Sequence, residues 1–190
     1  MKAIMISIQP KWVAKILNGE KTSEIRKTMP KCDLPIDVYI YCTKDNSNGY
    51  LYYSFGKTIF HDKYVLIKEY DKRCIIGNGK VVAKFTLNKV DEHHILPTER
   101  ILPFNWNVEQ KLNELCLTKE EVMAYGNGED YYAKLWHIDN LVIFDKPKEL
   151  SEFKKCQLLW SCLPHDCINC RHLLSLTKAP QSWCYVEVLL

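Results

Sequence analysis

The chain opens on KAIMISI, a stretch whose apolar positions alternate with a period of two. That is the pattern of a half-buried strand. PKWVAKILNG follows with a different period: Trp12, Val13, Ile16 and Leu17 recur at helical spacing. Pro10 suits the first helical turn and Gly19 the residue past the end. EKTSEIRK then reads as a strand over 20–27, and IDVYIYCT (36–43) as another, rich in β-branched and aromatic residues. The loop TMPKCDLP separates them, and KDNSNG is a turn cluster.

Residues 50–76 mix aromatic and charged positions without a clean period and read as an insertion. GNGKVVAKFTLNKV is expected to be a strand entered by a glycine turn. VEQKLNEL and TKEEVMAYG read as short helices, the second opened by a capping box of Thr118 and Glu121 and closed by Gly126. DYYAKLWHIDNLVIF is one long strand or a strand pair, ended by DKPKEL, and SWCYVEVLL is a terminal strand. No repeat, linker or low-complexity segment interrupts the series. Many short strands with one early helix and two later ones predict a single α+β domain over 1–190. Its expected form is a small β-barrel or strongly curved sheet with helices at its ends. A doubly wound fold would need strands regularly alternating with helices.

Composition narrows the class. At 190 residues, 47% hydrophobic and 26% charged, the chain has the make-up of a soluble globular domain with a real core. No apolar run approaches the roughly 20 residues that cross a bilayer. The opening lacks the apolar region and cleavage site of a signal peptide. A cytoplasmic protein with no membrane partner is therefore expected. A net charge of +3 and a pI of about 8.3 admit a polyanionic partner, but only at a local patch.

Nine cysteines are many for such a chain, and an odd number with no export signal argues against a disulfide framework. The segment CQLLWSCLPHDCINCRH (156–172) holds Cys156, Cys162, Cys167 and Cys170, with His165 and His172. Cys167-x-x-Cys170 has the knuckle spacing that lets two thiolates grip a tetrahedral Zn²⁺. Cys156, Cys162, the two histidines or Cys184 can supply the other ligands. Two readings stay open: a structural zinc, or reduced cysteines. A catalytic zinc is not expected, because no general-base motif stands beside an open position. Cys32, Cys42, Cys74 and Cys116 stand alone and are expected to be buried. His93 and His94 would point to opposite faces of a strand, and His137 reads as a half-buried strand residue.

The chemistry concentrates in ILNGEKTSEIRK, residues 16–27. On a strand, Thr22, Glu24 and Arg26 share one face, and Lys21, Ser23 and Ile25 the other. Lysine brings a mobile point charge suited to phosphate, and arginine a planar fork suited to phosphate or a base edge. Glu24 can accept from a base amino group, hold Arg26 in place or act as a general base. From spacing alone, a solvated strand face is the plainer reading.

SIQPKWVAKILNGEKTSEIRK resembles the opening of the ASCH domain family, which is related to the PUA domains. The family's signature G-x-K-x-x-E-x-R is matched by Gly19, Lys21, Glu24 and Arg26. S-I-x-P, the tryptophan-bearing helix, GKVVAKFTLNKV, WHIDNL with DKPKELSEF, and APQSWCYVEVL also resemble its phage and bacterial members. The likeness is strongest over 4–43 and 134–190. Residues 50–76 and the cysteine-rich segment match nothing in the short members.

The resemblance implies a PUA-like β-barrel with a cleft beside the first helix. The cleft would bind RNA or a nucleotide-like small molecule, with Lys21, Glu24 and Arg26 lining it. Trp12, Tyr39, Tyr41 and Trp183 are either core residues or stacking platforms, a stacked base being worth about 1–3 kcal/mol. In the family pattern the APQSW loop closes the cleft, which adds Ser182 to the candidates. Some members are enzymes. One is an amidohydrolase of N4-acylated cytidine that uses a lysine, a threonine and a later glutamate. Lys21 stands at the lysine position, but Glu24 replaces the threonine nucleophile, and a carboxylate cannot act as that hydroxyl. The alternative function is thus a hydrolase, with Lys21 and Glu24 catalytic, acting on a modified nucleoside or on RNA. A third is an interaction module whose cysteine-rich insert contacts a partner protein.

Overall fold

The computed structural model describes residues 2–45, 49–53, 66–67, 75–95, 108–156 and 173–188. Strand β1 (Lys2–Ile8) leads into helix α1 (Pro10–Leu17), then β2 (Ser23–Arg26) and β3 (Ile36–Cys42). Three short strands follow, β4 (Tyr50–Tyr53), β5 (Leu66–Ile67) and β6 (Ile75–Ile76). After β7 (Val81–Leu87) and β8 (Val90–Ile95) come helices α2 (Val108–Leu115) and α3 (Lys119–Tyr125). Strands β9 (Tyr131–His137) and β10 (Asp139–Lys148) precede a 3-10 turn at Leu150–Glu152. Strands β11 (Phe153–Cys156), β12 (Leu173–Ser175) and β13 (Trp183–Val188) complete the series.

The main sheet has seven strands in the order β10-β7-β3-β1-β13-β11-β12. Strand β1 sits at its centre, parallel to β3 and antiparallel to β13. This position corrects the expectation of a half-buried strand, since every residue from Ala3 to Ile8 is buried. Ile4, Ile6 and Ile8 face one core, with α1 and Trp136, while Ala3 and Met5 face another with Tyr39, Tyr41 and Phe153. A third core lies between β9, α2 and α3, around Leu115, Val122 and Leu135.

The expected barrel is not closed among the described residues, because the strands that would complete it pair elsewhere. Strands β2, β9 and β8 form a separate three-stranded sheet. The antiparallel ribbon that carries β8 and β9 turns two corners. One strand passes from β7 to β8 through Asn88 and Lys89, the other from β9 to β10 through Ile138. GKVVAKFTLNKV, expected as one strand, is therefore two strands in two sheets, and DYYAKLWHIDNLVIF is the strand pair. Main-chain bonds from His137 N–H to Lys89 O (3.2 Å) and from Ile138 N–H to Thr22 O (2.9 Å) hold the bend. Asp91 fastens it from the side, 2.8 Å from both Lys89 Nζ and His137 Nε2. Burial works against its charge, but the hydrogen bonds and charges of Lys89 and His137 outweigh burial and hold the carboxyl at about 2.

In the 50–76 region, β4 pairs with both β5 and β6, and Leu51 is fully buried in the first core. Helix α3 has the capping box read from its sequence: Thr118 Oγ1 accepts from Glu121 N–H at 3.2 Å, and Glu121 Oε2 from Thr118 N–H at 2.9 Å. Among the described residues no helix is long and apolar enough to cross a membrane.

Two outcomes follow. Trp136 is fully buried and donates to Thr28 O at 3.3 Å. Trp136→Ala is expected to cost about 3–5 kcal/mol in equilibrium urea unfolding. Asp91 has a folded-state pKa below its ordinary 3.8, so the stabilisation it gives is complete above about pH 4 and lost as the pH falls toward 2. The stability margin of the native chain over Asp91→Asn should shrink across that window when unfolding is followed at fixed temperature.

Candidate functional site

Helix α1 buries Pro10, Val13, Ala14, Ile16 and Leu17. Trp12, read from spacing as part of that apolar stripe, is half-buried: it packs against the first core and also lines a cleft. The helix ends in a tight reversal. Gly19 has φ +72°, a left-handed conformation that costs glycine little. The N–H groups of Glu20 and Lys21 then both bond back to Lys15 O, at 2.9 and 3.1 Å. The reversal turns Lys21 inward before the strand begins at Ser23 rather than at 20. Lys21 is therefore not bound by strand alternation, and the expected separation of Lys21 from Glu24 does not hold.

Lys21, Glu24 and Arg26 come together out of contact with solvent, at 2%, 5% and 8% exposure. A solvated strand face is thus ruled out for them. Lys21 Nζ lies 3.2 Å from Glu24 Oε2, and Arg26 Nη1 lies 2.8 Å from Glu24 Oε1. Lys21 Nζ also donates to Leu115 O at 2.7 Å, at the C-terminal end of α2, where the helix dipole favours a cation. Arg26 Nη2 donates to Ser7 O at 2.8 Å, and Nη1 to Ile25 O at 3.3 Å. Burial of three charges is tolerable because each has a partner of opposite sign or a carbonyl. One positive charge remains uncompensated within the trio.

The trio lines a cleft of about 460 Å³. Trp12 comes to it from α1, Glu121 and Tyr125 from α3, Thr43 from the end of β3, and Gln181 and Ser182 from the loop before β13. Ser7 ties that loop to the sheet. Its N–H donates to Ser182 O (2.8 Å) and its hydroxyl to Pro180 O (2.6 Å). Among the described residues, Arg26 Nε and Thr43 Oγ1 are buried without a hydrogen-bond partner. Sequence reasoning did not place Ser7, Thr43, Glu121 or Tyr125 in the site. Ser7 was visible only as the serine of the S-I-x-P stretch, and Glu121 only as a member of the capping box.

The other candidates stand apart from the cleft. Tyr41 is buried in the second core, on the opposite face of the main sheet, with Tyr39. Trp183 is half-buried. It donates to Thr28 Oγ1 at 2.9 Å and packs against Trp136 and Tyr185. Cys156 ends β11 opposite Leu173, so the two ends of the cysteine-rich segment are held together. Cys162, Cys167 and Cys170, with His165, His172 and Cys74, lie outside the described residues. Cys184 is buried in the second core and Cys42 in the first, and burial pushes both thiols up. Among the described residues no cluster of three or more side chains could hold a metal.

No family model matches the chain, and no curated protein sequence does. Solved structures do. The crystal structure of ASCH from Zymomonas mobilis is 16% identical, covering 97% of this chain and 87% of its own, with a TM-score of 0.53. A tyrosine-to-phenylalanine variant of the same protein is 15% identical, covering 98% and 91%, with a TM-score of 0.52. A serine-to-alanine variant is 14% identical, covering 97% and 88%, with the same TM-score. The chain therefore has an ASCH-like fold across nearly its whole length.

Glu24 is the only carboxylate that pairs with Lys21 and Arg26 among the described residues. Glu24→Ala would leave two buried cations facing each other and is expected to cost about 3–5 kcal/mol, read from urea unfolding.

Proposed function

We propose that this chain binds RNA or a nucleotide-like ligand in the cleft beside α1. The observation that carries the reading is the buried Lys21–Glu24–Arg26 trio, with an excess positive charge, opening on a cavity of nucleotide size. A volume of about 460 Å³ falls within the range of small-ligand sites. The trio also keeps donors in reserve. Lysine has three N–H donors, and Leu115 O and Glu24 engage two of them. Arginine has five; the pairings with Glu24, Ile25 O and Ser7 O leave Nε and one Nη2 hydrogen. A ligand rich in acceptors, such as a phosphate or a base carbonyl, matches that surplus.

In this reading Lys21 and Arg26 meet the ligand's acceptors, and Glu24 holds both cations in place. Glu24 can also accept from a base amino group through its remaining lone pairs. The ASCH-like fold and the G-x-K-x-x-E-x-R motif support the same class of ligand. The amidohydrolase form of the alternative lacks the hydroxyl that the resemblance requires at position 24, whereas hydrolysis of RNA would need only the Lys21–Glu24–Arg26 cluster around a phosphate.

The test is fluorescence anisotropy with a labelled pool of short RNAs, competed by nucleoside monophosphates. The native chain and Lys21→Met are compared, with thermal melts confirming that both are folded. The native chain should bind saturably, and Lys21→Met at least tenfold more weakly, about 1.4 kcal/mol. If the native chain binds neither ligand, or the variant binds as well, the cleft does not read nucleotides.

A further inference from the structure

We propose that the cleft takes a nucleotide within a single strand of RNA rather than a free one, with Lys11 and Lys27 contacting the phosphodiesters on either side. The proposal rests on the nucleotide-binding reading and goes beyond it in naming the form of the ligand and two further residues.

The first lysine stands on α1 beside Trp12, a residue of the cleft wall. Its ammonium lies 4.2 Å from the Trp12 ring centroid, and the buried Lys21 ammonium lies 5.6 Å from the same ring. Lys11 also reaches Glu121 of α3 at 3.5 Å, with both side chains 40% exposed. An ion pair so open to water is weak, and a phosphate can take the cation over.

The second lysine leaves β2 directly after Arg26 and is exposed. Its ammonium lies 5.6 Å from the ring of Tyr125, another residue of the cleft wall, and 5.7 Å from that of Tyr131. Among the described residues no carboxylate pairs with it. Among the described residues the contacts of the Lys27 ammonium are thus with aromatic rings rather than with an anion, so a phosphate can approach it.

Together these groups make a graded line of charge. Lys21 and Arg26 are buried, while Lys11 and Lys27 are accessible beside them. Four cations face two carboxylates, Glu24 and Glu121, an excess of two positive charges in a chain whose net charge is +3. A mononucleotide carries one phosphate group, which the buried pair alone can meet. Phosphate that continues past the cleft would meet the outer lysines. Each also stands against an aromatic ring of the cleft wall, and rings beside ammonium groups are what single-stranded nucleic acid sites combine.

The experiment measures binding of a labelled mixed-sequence hexaribonucleotide between about 50 and 200 mM salt, beside a nucleoside 5′-monophosphate. The hexamer should bind at least tenfold tighter. Lys11→Ala and Lys27→Ala should each flatten the log–log salt slope by about 0.7, the value per phosphate on a single strand. Each should also weaken the hexamer more than the monophosphate, while Lys146→Ala, on β10, leaves both unchanged. A monophosphate that binds as tightly as the hexamer overturns the strand inference and leaves the cleft reading standing. Variants with native slopes do the same, as does polyglutamate that displaces the hexamer as well as unlabelled RNA. If neither nucleotide form binds, both readings fall.

Discussion

Two cations and a carboxylate must be kept from water at one end of β2, and much of the surrounding structure answers that requirement. No single element can satisfy it. Glu24 and Arg26 come from β2, Lys21 from the reversal after α1, one acceptor from β1 at Ser7 and another from α2 at Leu115. Buried ions that lose a partner are far more costly than surface ones. The trio therefore couples the main sheet, the small sheet and the helical pair.

The bent ribbon makes this convergence possible. Because β7 continues into β8 and β9 into β10, the small sheet is folded over the main one, and Trp136 fills the space between them. Strand β2 adds to the small sheet beside β9. That pairing brings the motif against β1 on one side and against α2 and α3 on the other. A closed barrel would have spent β2 on pairing within a single sheet. The open arrangement leaves the far edge of β2 beside the cleft.

Much of the secondary structure was legible in the chain, because local signals determine it. Pro10 and Gly19 bound α1, Thr118 and Glu121 open α3, and the β-branched run of 36–43 is a strand. The sheet assignment was not legible, since a strand that turns a corner at Asn88 and Lys89 keeps its apolar alternation. The motif was visible in its residues, but not its geometry. Strand periodicity placed Lys21 and Glu24 on opposite faces, and only the reversal at Gly19 brings them together. Periodicity counted Trp12 with the apolar stripe, and it does pack against the first core; that it also lines the cleft left no periodic signal. Partners distant in sequence, such as Ser7 for Arg26 and Leu115 for Lys21, leave no local signal.

Ser7 has a consequence of its own. Its carbonyl receives Arg26, its N–H and hydroxyl hold the 180–182 loop, and its neighbours lie in the central strand of the main sheet. The base of the cleft and its rim thus share one anchor set in the stiffest part of the fold. The cleft is built less like a jaw than like a socket: its aperture on that side is set when the sheet forms.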